Sequence, residues 1–176
     1  MVRKFLDRLY LASGVLAAFG ICVIGALTLT QIVARLLGTF VPSAGDFAGF
    51  AMGASAFLGL AYTLRHGGHI RVNLITNKLP KRVQWIVEVV SLVIAVLIVG
   101  YYAYYSSWLL WKTVEFGEFT LGLVAIPKWI PMVAMPVGVV ILFIAFVEEL
   151  ARVLMGREPS YAAAEESETE APTKIM

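Results

Sequence analysis

Residues 83–111 read VQWIVEVVSLVIAVLIVGYYAYYSSWLLW and contain one charged side chain, that of Glu88. About 20 apolar residues in a helix cross the ~30 Å hydrocarbon core of a bilayer, so this run is long enough to span a membrane. The whole chain has the same character, since its 176 residues are 60% hydrophobic and its mean hydropathy is +0.83. We therefore expect an integral membrane protein rather than a soluble domain.

Charged residues divide the chain into four such apolar runs. The other three are residues 9–34, 47–64 and 129–147. Helices satisfy their own backbone hydrogen bonds in lipid, so we predict an all-α integral membrane fold with four transmembrane helices. We place this four-helix domain at residues 1–156 and an acidic, disordered cytoplasmic tail at residues 157–176.

Basic residues lie mainly on one side of these four helices. Lys and Arg flank the cytoplasmic ends of membrane helices, so both termini are predicted to be cytoplasmic, with two loops outside. The segment RHGGHIRVNLITNKLPKR (65–82) is thus first a topology signal, and it can also meet anionic lipid. Within it we predict a short interfacial helix at 74–79, and Pro80 in the first turn of the third helix. The basic residues on this side are Arg3, Lys4, Arg8, Arg65, Arg71, Lys78, Lys81, Arg82, Arg152 and Arg157.

The second helix carries small residues at helical spacing. Gly49 and Gly53 form a GxxxG pair, and Ala51, Ser55 and Gly59 add a second stripe of small residues. Small residues let helix backbones approach closely in lipid, so we interpret them as packing positions. They serve either within this chain or in docking onto another membrane protein.

Aromatic residues mark the far half of the third helix. Trp108 and Trp111 fit the headgroup level, where amphipathic rings are enriched. Four tyrosines lie one or two turns deeper, at positions 101, 102, 104 and 105. They either extend this aromatic belt or face a partner protein.

Residues that carry chemistry are scarce. His66 and His69 form an H-x-x-H pair, but a zinc site needs three or four ligands and no cysteine is nearby. Glu88 is the one acid inside a predicted helix, about 9 Å beyond Arg82, which favours a local ion pair over a proton site. We predict no catalytic, cofactor or metal residue, no enzyme activity and no nucleic-acid partner. A chain without its own substrate site is expected to act beside other subunits.

Two motifs resemble those of the small membrane subunit of TRAP transporters, the tripartite ATP-independent periplasmic transporters. One follows the second helix, and the other, LGLVAIPKWIPMVAMPVG, leads into the fourth, where Pro136 is expected to bend the helix. The chain departs from the family pattern at Ser43–Asp46, where an aromatic residue and paired acids are frequent, and at Val124–Ala125. The matching residues are Gly68, His69, Ile70, Val72, Leu79 and Pro80 in the first motif, and Pro127, Trp129, Pro131 and Pro136 in the second.

This resemblance implies a non-catalytic subunit of a sodium-driven importer of organic acids in a bacterial inner membrane. A large multi-helix subunit would carry the substrate, and a periplasmic binding protein would deliver it. The small subunit would brace the large one and offer surface to the binding protein.

We predict periplasmic contacts at Asp46, Glu115, Glu118 and Lys128, although Glu115 and Glu118 also fit ordinary solvated surface charge. The main alternative is an autonomous, homo-oligomeric transporter that uses Glu88; a redox enzyme using His66 and His69 and an unrelated membrane scaffold are further alternatives.

Overall fold

The computed structural model describes residues 2–65 and 80–156, and within these ranges the chain forms five helices. Four spans are long and apolar enough to cross a membrane, namely Leu6–Leu36, Ala44–Leu64, Arg82–Glu115 and Trp129–Leu154. The prediction of four membrane-spanning helices is therefore confirmed, while the interfacial helix at 74–79 and the tail at 157–176 lie outside the described residues. The helices are α1 (Val2–Leu36), α2 (Ala44–Arg65), α3 (Lys81–Glu115), α4 (Trp129–Met132) and α5 (Ala134–Leu154).

The long helices form an open row rather than a closed bundle. α1 packs on α2, α2 packs on α5, and α5 packs on α3. The two outermost helices, α1 and α3, share no extended contact in the part of the chain that the structure describes. The inner helices of the row are more buried than the outer ones. In the most apolar stretch of the fourth span 33% of the residues are buried, whereas in the most apolar stretch of the third span 6% are buried.

A glycine lies at each of the three helix crossings in this row. A Cβ atom at any of these glycines would fall within 3.0 Å of the facing residue. Without a hydrophobic driving force between helices in lipid, such close approach supplies much of the association. The pairs are Gly14 with the Tyr62 ring (2.7 Å, α1–α2), Gly138 with Phe57 (2.9 Å to its Cβ, α2–α5) and Gly100 with the Phe143 ring (2.9 Å, α3–α5).

The fourth span is interrupted at Val133, between α4 and α5. Proline has no backbone N–H, so Pro136 cannot donate to the carbonyl of Met132 four residues earlier. The helical pattern of backbone hydrogen bonds resumes where Val137 N donates to the carbonyl of Val133 at 3.3 Å. The disturbance expected from Pro136 is thus present as a break one turn before it.

A polar link joins α1 to α5 at the end of the row where α1 begins and α5 ends, here called the terminal end. The Tyr10 hydroxyl donates to Glu148 Oε2 at 3.0 Å, and Arg152 pairs with Glu148 Oε1 at 2.5 Å. Tyr10 is buried against Ala61 and Leu64 of α2. The link therefore passes over the last turn of α2 and holds α1, α2 and α5 together.

Gly138→Ala is expected to destabilise the fold, because its Cβ would collide with the backbone carbonyl of Phe57, which cannot move aside as a flexible side chain can. Overpacking of this kind costs about 1–3 kcal/mol. The measurement is the thermal unfolding midpoint of the purified protein in mild detergent.

Gly25→Ala is the matched control, since nothing lies within 4 Å of a Cβ at that position in α1. Alanine in a helix interior is about 0.5–1 kcal/mol more favourable than glycine, so this variant should unfold at the same or a higher temperature. Equal midpoints for the two variants would contradict the role of Gly138.

Candidate partner-contact site at the loop end of the helices

The opposite end of the row, here called the loop end, carries the connections 37–43 and 116–128. The second connection folds back on itself after α3. Phe119 and Pro127 form an isolated β-bridge, and Thr120 N donates to the carbonyl of Ile126 at 2.9 Å. These bonds turn the connection into a compact flap, here called the outer flap.

Gly117 ends α3 and starts the outer flap. Its φ of +59° lies in the left-handed region, where a residue without Cβ is favoured. Gly117 N donates to the carbonyl of Val114 at 3.2 Å, and Glu118 N donates to that of Thr113 at 3.4 Å. This bonding pattern is a Schellman motif, which satisfies the last carbonyls of a helix and reverses the chain.

Three of the four predicted contact residues lie in exposed ion pairs at this end. Lys128 Nζ is 2.8 Å from Glu118 Oε2, and Lys112 Nζ is 2.7 Å from Glu115 Oε2. Exposed pairs contribute only ~0–1 kcal/mol to stability. Their charges therefore remain available to a partner at little cost to the fold.

Asp46, the fourth predicted contact residue, lies in the first turn of α2. A carboxylate at this position is stabilised by the helix dipole. It makes no hydrogen bond or ion pair with the residues described, and it faces Gly122 of the outer flap, where an added Cβ would lie 2.5 Å from its Oδ2. The Asp46 carboxylate is thus available for an external cation or N–H donor.

Ser43 fastens the outer flap to the start of α2. Val124 N donates to its Oγ at 3.0 Å. The φ of Ser43 is +55°, uncommon for a residue with a side chain, and this conformation turns the chain into α2. The flap therefore lies against α2 rather than extending into solvent.

A cavity of about 590 Å³ opens between α2, the outer flap and the α4–α5 entry. Its size falls in the range of ligand and side-chain pockets, and its walls are mainly apolar. Asp46 and Lys128 bring one carboxylate and one ammonium to this cavity, whereas Glu115 and Glu118 are not among its lining residues. The apolar walls include Phe50, Phe57, Phe119, Met132 and Met135.

The four small residues predicted for helix packing divide between two faces of α2. Ser55 and Gly59 face α1, where a Cβ added at Gly59 would lie 3.6 Å from the Ala17 Cβ and Ser55 contacts Gly20. Gly49 and Gly53 line the cavity, and nothing lies within 4 Å of a Cβ at either position. Close packing within this chain therefore involves the second pair and leaves the GxxxG pair open.

The motif residues before the fourth helix build the entry to it. Pro127 closes the flap, Trp129 begins α4, Pro131 lines the cavity, and Pro136 is buried in α5. Pro80 lies at the N-cap of α3, one position before the predicted first turn. The remaining motif residues lie outside the described ranges: Gly68, His69, Ile70, Arg71, Val72 and Leu79.

Sequence reasoning missed the apolar walls of this cavity. The signal was present in α2, because Asp46, Gly49, Gly53 and Phe57 recur every three or four residues and so share one face. The spacing does not reveal the opposite wall of the cavity, since Met132 and Met135 come from a distant part of the chain.

Within residues 2–65 and 80–156, no group of three or more His, Cys, Asp or Glu side chains is placed to hold a metal ion.

Comparison with known protein families gives one assignment. The family model described as "Tripartite ATP-independent periplasmic transporters, DctQ component" matches residues 21–156. No curated protein matches the chain. The matched range includes the whole outer flap, the residues that line the cavity, and Gly100 and Gly138 of the helix crossings. Gly14 lies outside it.

Proposed function

The chain belongs to the DctQ family, the small membrane subunit of tripartite ATP-independent periplasmic transporters, and we propose that it braces the large subunit of a sodium-driven organic-acid importer. In this proposal the complex lies in a bacterial inner membrane. The chain's loop end faces the periplasm and offers surface to the soluble binding protein. The large subunit carries the substrate and sodium sites.

The open row is the observation that carries the bracing role. A compact transporter encloses its substrate path between helices, whereas here α1 and α3 are the outermost helices and share no extended contact in the described part of the chain. Few residues of these two outer helices are buried within the chain. An open row with exposed apolar outer helices supports packing along a larger membrane protein, where van der Waals contact with protein replaces contact with lipid.

The position of the acids also supports a companion role over autonomous transport. Acidic residues of the four described spans lie near helix ends, as Glu88 and Glu149 do at the terminal end. Glu88 is partly buried and is not without an interaction partner, which is compatible with the local ion pair predicted for it. An ion path would need such groups near the middle of the membrane.

The outer flap supports the proposed contact with a soluble binding protein. Its tip is apolar and exposed, since Leu121 is fully solvent-accessible and Leu123 nearly so. The Glu118–Lys128 ion pair lies at its base. Protein interfaces commonly combine an apolar centre with a polar rim, and this tip has that composition.

The central test is purification of the tagged chain from native membranes in mild detergent. We expect a large multi-helix membrane protein to co-purify at about one copy per copy of this chain, because the exposed faces of the row offer it extended van der Waals contact. Glu88→Gln should leave both the complex and its transport intact. A chain that purifies alone or only with itself, with transport lost in Glu88→Gln, would establish the autonomous transporter instead.

Replacing Leu121 and Leu123 together by Asp is expected to weaken delivery by the binding protein. Apolar residues at the centre of an interface contribute about 1–2 kcal/mol each, so the binding-protein concentration for half-maximal uptake should rise about tenfold or more. The measurement is uptake by the reconstituted complex against binding-protein concentration.

Leu37→Asp is the control for this flap variant, because Leu37 is also an exposed apolar residue at the loop end but lies in the other connection. It should leave the half-maximal concentration unchanged. Equal effects of the two changes would show that the flap tip has no specific part in docking.

A further inference from the structure

Three tyrosines form one exposed patch on α3, here called the tyrosine face: Tyr101, Tyr104 and Tyr105. Tyr101 and Tyr104 are 66% and 67% exposed. Ala103, which lies between them in sequence, is buried, and Gly100 packs on Phe143 of α5. The tyrosine face therefore points away from the row.

The charged residues of α3 fix the depth of this face. Glu88 and Lys112 bound the uncharged stretch of α3. The 24 residues from one to the other cover about 36 Å of helix. Tyr101 lies 13 residues after Glu88 and 11 residues before Lys112, close to the midpoint. Tyr101 is therefore near the centre of the ~30 Å hydrocarbon core.

The direction of the side chains places the other two hydroxyls deep as well. Tyr104 and Tyr105 lie only one turn nearer to Lys112 than Tyr101 does. Long side chains on a helix lean back toward its N-terminus, which for α3 is the terminal end. Their hydroxyls are thus directed toward the midplane and away from the nearer headgroup layer.

Phenol groups at this depth do not fit contact with lipid tails. Tyrosine is enriched at the headgroup level, where its hydroxyl meets water or polar lipid groups. The ring centroids of Tyr101 and Tyr105 are 4.5 Å apart, so these two side chains form one aromatic cluster. The Tyr104 hydroxyl makes no hydrogen bond within residues 2–65 and 80–156. A hydroxyl left unpaired in an apolar medium is costly, so this face favours a neighbour that supplies hydrogen-bond acceptors.

We propose that the tyrosine face is the surface on which the large membrane subunit packs. The contacting helices would present backbone or side-chain oxygens to the three hydroxyls near the middle of the membrane. A soluble binding protein does not reach this depth, and acyl chains have no acceptor to offer. The proposal rests on the bracing function above and names the face that performs it.

The test places the photo-crosslinking residue p-benzoylphenylalanine at Tyr104 in the complex co-expressed with a tagged large subunit. The matched control position is Phe19, an equally exposed aromatic residue on α1 at the other end of the row. We expect irradiation to join this chain to the large subunit from position 104, with at least about fivefold less product from position 19.

Several results would overturn the assignment of this face. One is an intact complex in which position 104 yields only lipid adducts or no adduct, and another is a larger yield from position 19. Cross-linking of position 104 to a second copy of this chain would also overturn it. If instead the unmodified chain does not co-purify with a large subunit at all, the bracing function itself fails, so the two failures are distinguishable.

A second variant tests the hydroxyl rather than the ring. Tyr104→Phe should lower retention of the large subunit through a stringent detergent wash about three- to tenfold, as expected for loss of an interhelical hydrogen bond. Tyr102→Phe is the control, because Tyr102 is on the same helix but its ring faces Phe57 at 6.4 Å. Equal retention in the two variants would show that the Tyr104 hydroxyl has no partner on the large subunit.

Discussion

Close approach of helices at glycine is the constraint on which the rest of this structure depends. An apolar helix surface gains little free energy by exchanging lipid contact for protein contact, so helix association in a membrane relies on van der Waals contact at short range. Gly14, Gly138 and Gly100 provide that contact at successive crossings, each against a bulky residue of the next helix. Because α1 packs mainly on α2, and α3 packs mainly on α5, these crossings produce a row instead of a closed bundle.

The two ends of the row have different roles in this account. At the terminal end, Glu148 joins Tyr10 to Arg152 and ties α1 to α5 across the end of α2. At the loop end, the outer flap lies on α2 through Ser43 and leaves a cavity with Asp46 and Lys128 at its rim. One end therefore consolidates the row, while the other presents charge and apolar surface outward. Between them, the exposed faces of the outer helices are where a larger membrane protein can pack.

The number and approximate limits of the spans followed from the sequence, because an apolar run without charge has few structures available to it in lipid. The row did not follow, since a glycine contributes to packing only where a bulky residue faces it. Gly49 and Gly53 matched a known packing pattern and yet line a cavity, whereas Gly100 and Gly138 belong to no GxxxG pair and form crossings. Similarly, Asp46 and Lys128 were identified as charges at one end, but their shared cavity depends on how the flap folds back.

The most direct test of the open row is a distance measurement between its two outermost helices in the purified complex. Spin labels at Leu11 on α1 and Leu97 on α3, both exposed, would be introduced after replacing Cys22, the only cysteine, by Ala. Neighbouring helices pack ~8–10 Å apart, so three intervals predict a separation of up to about 24–30 Å before the label arms are added. A separation of about 15 Å or less would mean that α1 and α3 close into a bundle, and it would contradict the row and the bracing function inferred from it.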